Sequence, residues 1–158
     1  MAREFKLGLA NQIKSYLDSE EMHYSFDAEN GIFRFGMTLS HGGLLGHVDI
    51  RIVVKKDAFQ VQVISPLNAP EDTREQVAIF LTYVNYRQNA GDFEMDFSDG
   101  EIMYKIDQYC ADQIPTADII ERAIFVPCSV YDNYADPLIE VMLGKKTGRE
   151  AGQKSTSD

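Results

Sequence analysis

The chain has 158 residues, the length of one ordinary domain. With 44% hydrophobic residues, 11 Gly and 5 Pro its composition is globular, neither disordered nor fibrous. Its 15 Lys and Arg against 25 Asp and Glu leave a net charge of −10. That balance argues against nucleic acid as a partner, because phosphate binding rests on clustered Lys and Arg, and Lys55-Lys56 and Lys145-Lys146 are pairs rather than a patch. The acidity serves solubility or a cationic partner. No stretch approaches the roughly 20 apolar residues of a membrane span, and no signal-peptide run follows the N-terminus. Cys110 and Cys128 are not a close-spaced ligand pair, so reduced thiols and a cytoplasmic setting are expected.

Residues 3–19 read as an amphipathic helix, with Phe5, Leu9, Ile13, Tyr16 and Leu17 on one stripe. Four strands follow, at 23–27, 32–39, 47–55 and 58–64. In the third, Val48, Ile50, Ile52 and Val54 alternate with His47, Asp49 and Arg51, which implies a sheet with one dry and one wetter face. Asn30-Gly31 is a hairpin signal, since both tolerate positive φ, and Lys56-Asp57 is a tighter turn. Pro66 and Pro70 end this run. A second helix is expected over 71–89, with Val77, Phe80, Leu81 and Val84 buried and Gly91 just beyond its end as a cap. Ile79, Tyr83 and Tyr86 widen its apolar stripe beyond what one buried face needs.

A second hairpin turns at Ser98-Asp99-Gly100. Phe93, Met95 and Phe97 alternate before it, and Ile102, Tyr104 and Ile106 after it. The rest reads as helix over 116–131, where Pro127 should kink or divide it, then helix over 136–143, with Pro137 in its first turn and Asp136 as cap. Residues 144–158 hold one apolar residue, Ala151, and are expected to form a flexible polar tail after a single domain of residues 1–143. The expected class is α+β, an antiparallel sheet of five to six strands packed with helices in the order α-ββββ-α-ββ-α(α).

No motif supplies chemistry. The loop from Ser40 to His47, with Gly42, Gly43 and Gly46, is glycine-rich like a phosphate cradle. It leads into a strand and has no Lys. Its His-Gly-Gly is similar to an oxyanion segment of esterases, but the chain has no Gly-x-Ser-x-Gly elbow. His23, His41 and His47 lack metal spacing. Asp92, Glu94 and Asp96 read as a solvated strand face. Cys110 has no His close in sequence, and Gly144-Lys145-Lys146-Thr147 lacks the upstream glycine of a P-loop. No catalytic, metal or cofactor residue is assigned.

The element order, together with Phe80-Leu81-Thr82-Tyr83-Val84-Asn85, Gly91-Asp92-Phe93-Glu94-Met95-Asp96, Asp99-Gly100-Glu101-Ile102 and Asp132-Asn133-Tyr134-Ala135-Asp136-Pro137-Leu138-Ile139, resembles the YbjN family of bacterial proteins, sometimes labelled sensory transduction regulators. The resemblance runs from the first helix to about Gly144. That family is similar in fold to type III secretion chaperones, which implies an α+β sandwich, protein binding and a dimeric working unit. The chaperone pattern has three strands before the second helix where four are read here.

A non-catalytic protein-binding or regulatory role is therefore expected, with a homodimer or another protein as partner. Leu44 and Leu45, shown outward on a mobile loop, and Ile79, Tyr83 and Tyr86 are the candidate partner-binding residues. The alternative is a small-molecule or metabolite sensor, with Tyr104 or Arg51 projecting into a pocket on the sheet face. A hydrolase using His41 or His47 with Cys110 is a third reading.

Overall fold

The alternating segments build one antiparallel sheet. Its strands are β1 (Ser25–Asp27), β2 (Ile32–Thr38), β3 (His47–Val54), β4 (Ala58–Ile64), β5 (Asp92–Met95) and β6 (Ile102–Tyr109), in the spatial order β1-β2-β3-β4-β6-β5. The helices are α1 (Leu7–Ser19), α2 (Arg74–Asn85), α3 (Ala117–Met142) and α4 (Gly148–Ser155). The computed structural model describes residues 1–41 and 43–157. Gly42 of the glycine-rich loop and Asp158 of the expected tail lie outside the described residues. The class is α+β, in the order expected.

Register carries the apolar residues of each strand into continuous rows. Phe33, Ile52, Val61 and Ile106 form one, and Phe35, Ile50, Val63, Tyr104 and Phe93 the next. Leu9, Ile13 and Leu17 of α1, Val77, Phe80 and Val84 of α2, and Ile120, Ile124, Tyr131 and Leu138 of α3 cover these rows in one core. β1 is shorter than expected, because only its last three residues pair. Tyr24, before it, instead lays its ring edge-on to Phe33. Among the described residues no helix is long and apolar enough to cross a membrane.

Helix α2 ends at Asn85, four residues early, because the Asn85 side chain is committed elsewhere. Its Nδ2 donates to the Phe93 carbonyl (2.9 Å) and its Oδ1 accepts from the Phe93 N–H (2.8 Å), as a strand partner would. Gly91 is not the helix cap. With φ at 78° it turns the chain into β5, where a Cβ would press on the Lys105 carbonyl and the Tyr104 ring. Asn85→Ala is expected to lower unfolding free energy by about 1–2 kcal/mol, since both Phe93 backbone groups lose their partner. Urea unfolding checks it.

Two further expectations fail. The first is the break at Pro127: α3 is one helix of 26 residues with Pro127 and Pro137 inside it. Proline forgoes one backbone hydrogen bond. Here Ile120, Ile124, Tyr131, Ala135 and Leu138 are buried on both sides of Pro127, and tertiary packing overrides the local preference. The second is the flexible tail. Residues 148–155 form α4, opened by a capping box in which Thr147 Oγ1 accepts from the Glu150 N–H (3.1 Å) and Glu150 Oε2 from the Thr147 N–H (3.1 Å). Two of its glycines are contact residues. A Cβ on Gly148 would overlap the Gln76 carbonyl, and one on Gly152 would stand 2.6 Å from the Tyr83 Cβ. Their absence lets the α4 backbone settle on α2, with Ala151 buried.

Candidate partner-binding surface

The five candidate residues do not share one environment. Leu45 is fully buried, against expectation, while its neighbour Leu44 is exposed. The loop is not free to show both. It coils into a short 3-10 turn at Gly43–Leu45, and the Tyr131 hydroxyl donates to the Leu45 carbonyl (3.2 Å), drawing Leu45 into the core. Its other end is tied to Asp132 of α3. That carboxylate accepts from the Ser40 hydroxyl (2.9 Å), the His41 N–H (2.9 Å) and the His41 Nδ1 (2.9 Å). Burial pushes the Asp132 carboxyl up, but these hydrogen bonds outweigh it and hold the group below the ordinary carboxylate value.

This cluster superficially matches a serine–histidine–aspartate set. Ser40, however, donates to Asp132 itself and stands on the Nδ1 side of the imidazole, the side the carboxylate already occupies. No relay from serine through histidine to aspartate results. Cys110 is half-buried and donates to the Gln108 carbonyl (3.5 Å). Cys128 is buried, and burial with the nearby Asp132 charge pushes its thiol up to about 12. His47 pairs with the Thr38 hydroxyl (3.2 Å). On the outer sheet face, Glu94 pairs with Lys105. Among the described residues no group of three His, Cys, Asp or Glu side chains is arranged to hold a metal ion.

Ile79 and Tyr83 lie on α2 beside α4, and Tyr86 stands just past the end of α2. The small residues of α4 cover part of the surplus stripe. Gly148 sits on Ile79, leaving it 36% exposed, and Gly152 sits on Tyr83, now half-buried with its hydroxyl accepting from Arg149 Nε (3.4 Å). Tyr86, one turn on, stays 88% exposed. It borders a groove of about 640 Å³ between α2 and α4, lined by Thr82, Tyr83, Tyr86, Arg87, Gln153 and Thr156, with Ser157 at its end. Leu44 does not line this groove. Tyr104, offered as a pocket residue, is buried and donates to the Ala90 carbonyl, and burial pushes its hydroxyl up to about 12. Arg51 stands on the opposite sheet face.

The Asp132 anchor is not among the candidates read from sequence. Its signal is an Asp one helical turn after Cys128 on an apolar stripe. It is lost if the helix is ended at residue 131. No protein-family model and no curated protein matches the chain.

Proposed function

We propose that the chain is a non-catalytic protein-binding domain with a regulatory use, which takes its partner in the groove between α2 and α4. The observation that carries this is Tyr86, a large ring almost wholly in solvent beside Tyr83 and Arg87. Tyr and Arg are the side chains that concentrate binding energy at protein interfaces. Among the described residues no carboxylate lines the groove, although the chain as a whole carries −10, and Arg87 there suits an acidic group of the partner. The resemblance to the YbjN family, and through it to the secretion chaperones, supports the same reading. With it go a cytoplasmic setting and a partner that is a second copy or another protein.

Sedimentation velocity over a hundredfold concentration range, beside photo-crosslinking from position 86 in native lysate, tests it. Self-association abolished by Tyr86→Asp identifies a second copy. A monomer that crosslinks one protein stoichiometrically, with the product lost on Arg87→Glu, identifies another chain. A monomer with no crosslink overturns the proposal. A small-molecule sensor is the second reading, favoured by the hollow described next.

A further inference from the structure

The sheet face turned away from the helices holds two arginines side by side. Arg34 of β2 and Arg51 of β3 are direct cross-strand partners, and like charges so placed destabilise a sheet. Among the described residues neither forms an ion pair, in a chain with 25 carboxylates to offer. Arg51 is half-buried and held in place. Its Nη1 donates to Gln62 Oε1 (3.3 Å), Gln62 Nε2 to Gln60 Oε1 (2.6 Å), and Gln60 Nε2 to both oxygens of Asp107 (3.1 and 3.0 Å), which Lys55 Nζ closes (2.7 Å). This ladder orients the guanidinium through one nitrogen and leaves its other donors available.

Gly36 lies two residues along β2 from Arg34. Its φ is not in the left-handed region, and a Cβ there would meet nothing nearer than the His47 ring at 3.7 Å. Neither conformation nor packing asks for glycine. Within a strand it weakens the sheet, and it often marks the close approach of a ligand. Here it leaves a hollow of about 400 Å³, lined by Arg34, Gly36, Asp49, Arg51, Ile64 and Glu101. Asp49 is the cross-strand partner of both Gly36 and Ile64. One row of the hollow is therefore Arg34 with Arg51, and the next is Gly36, Asp49 and Ile64, with a single carboxylate between a glycine and an apolar side chain; Glu101, just before β6, borders the hollow beyond that row.

We infer that this hollow binds a small zwitterion of the α-amino acid class. The ligand carboxylate sits between Arg34 and Arg51, its ammonium turns to Asp49, and its side chain lies over Gly36, with Glu101 adding negative charge at the far side of the hollow. A plain anion meets the two carboxylates and a plain cation meets the two guanidiniums. Only a ligand with both charges is attracted by both rows. The site stands independently of the α2–α4 groove. Being open to water, it binds weakly, with Kd about 1 mM.

The test is an NMR titration of the labelled chain with each standard α-amino acid, beside acetate and methylamine. A subset of amino acids is expected to shift the amides of residues 34–36 and 49–51 saturably, and neither acetate nor methylamine to do so at the same concentrations. Arg51→Met should weaken binding at least about tenfold, since a bidentate partner is lost. Gly36→Val separates ligand from scaffold. It should raise the thermal midpoint by about 2–4 °C, because valine favours a strand, while abolishing binding. No saturable shift by any amino acid up to a concentration on the order of 50 mM overturns the inference. So does acetate binding as tightly as the best amino acid, or a folded Gly36→Val variant that still binds.

Discussion

Gly148→Leu is expected to cost about 2 kcal/mol of unfolding free energy and to release α4 from the body of the domain. The new side chain cannot be absorbed by a rotamer change. Its Cβ alone would fall on the Gln76 carbonyl, the Phe80 nitrogen and the Ile79 Cβ, and the first two are α2 backbone. The hydrogen bond from the Gly148 N–H to Gln76 Oε1 (2.9 Å) goes with it. Two responses compete: overpacking with α4 in place, or undocking of α4. The smaller cost wins, so the loss is limited to what docking contributes. That contribution is modest. It comprises the burial of Ala151, partial cover of Ile79 and Tyr83, and the hydrogen bonds of Gly148 to Gln76 and of Arg149 to Tyr83. A chain ended after Leu143 should therefore lose the same free energy as Gly148→Leu, within about 0.5 kcal/mol. Urea unfolding of both variants, with hydrogen exchange over residues 147–157 of Gly148→Leu, measures it. A point variant much less stable than the truncated chain would show that α4 cannot leave once folded.

This helix also shows where sequence reading reaches its limit. Compositional judgement counts apolar residues, and residues 144–158 hold only Ala151. Gly148 and Gly152 are four apart and so share one helix face. Absent side chains can be a contact surface when the opposing helix presents its backbone and Tyr83. That information lies in α2, not in the tail. The strands were legible because periodicity is local: Val48, Ile50, Ile52 and Val54 face a drier side than Asp49 and Arg51 whatever their neighbours are. The Asn30-Gly31 turn was legible for the same reason, with Gly31 at φ 65°. The pairing of Arg34 with Arg51 was not, because it depends on the register across the glycine-rich loop. Leu44 and Leu45 were indistinguishable, since a loop has no period to say which one turns inward. Of the five candidate residues, Tyr86 kept its expected exposure because it lies just beyond the last turn that α4 covers. Ile79 and Tyr83 lost part of theirs to a helix that composition did not announce.

Asp132→Ala is expected to cost about 2 kcal/mol, as a charged acceptor of several hydrogen bonds is removed. The effect should concentrate in the loop that Asp132 anchors. With the carboxylate gone, the Ser40 hydroxyl, the His41 N–H and the His41 ring lose a common partner. Leu45 is then held only by its own burial and the Tyr131 hydrogen bond. Amides of residues 39–41 and 43–47 should exchange about thirtyfold faster at neutral pH, the factor that 2 kcal/mol represents. Acid should reproduce the same release in the unaltered chain. The Asp132 carboxyl titrates below its ordinary 3.8, because hydrogen bonds from His41 and Ser40 outweigh the upward push of burial. A depressed folded value means the contribution is complete above the unfolded value and is lost as pH falls through the folded one. Loop protection, corrected for the intrinsic exchange rate, should therefore be unaffected by Asp132 between pH 7 and about 5 and should fall away below about pH 4. In Asp132→Ala that acid-dependent step should vanish, leaving the loop equally exposed at both ends of the range. Persistence of the step in the variant would assign it to another carboxylate. Asp136 of α3, whose Oδ1 lies 3.9 Å from the Cβ position of Gly43, is the first to replace.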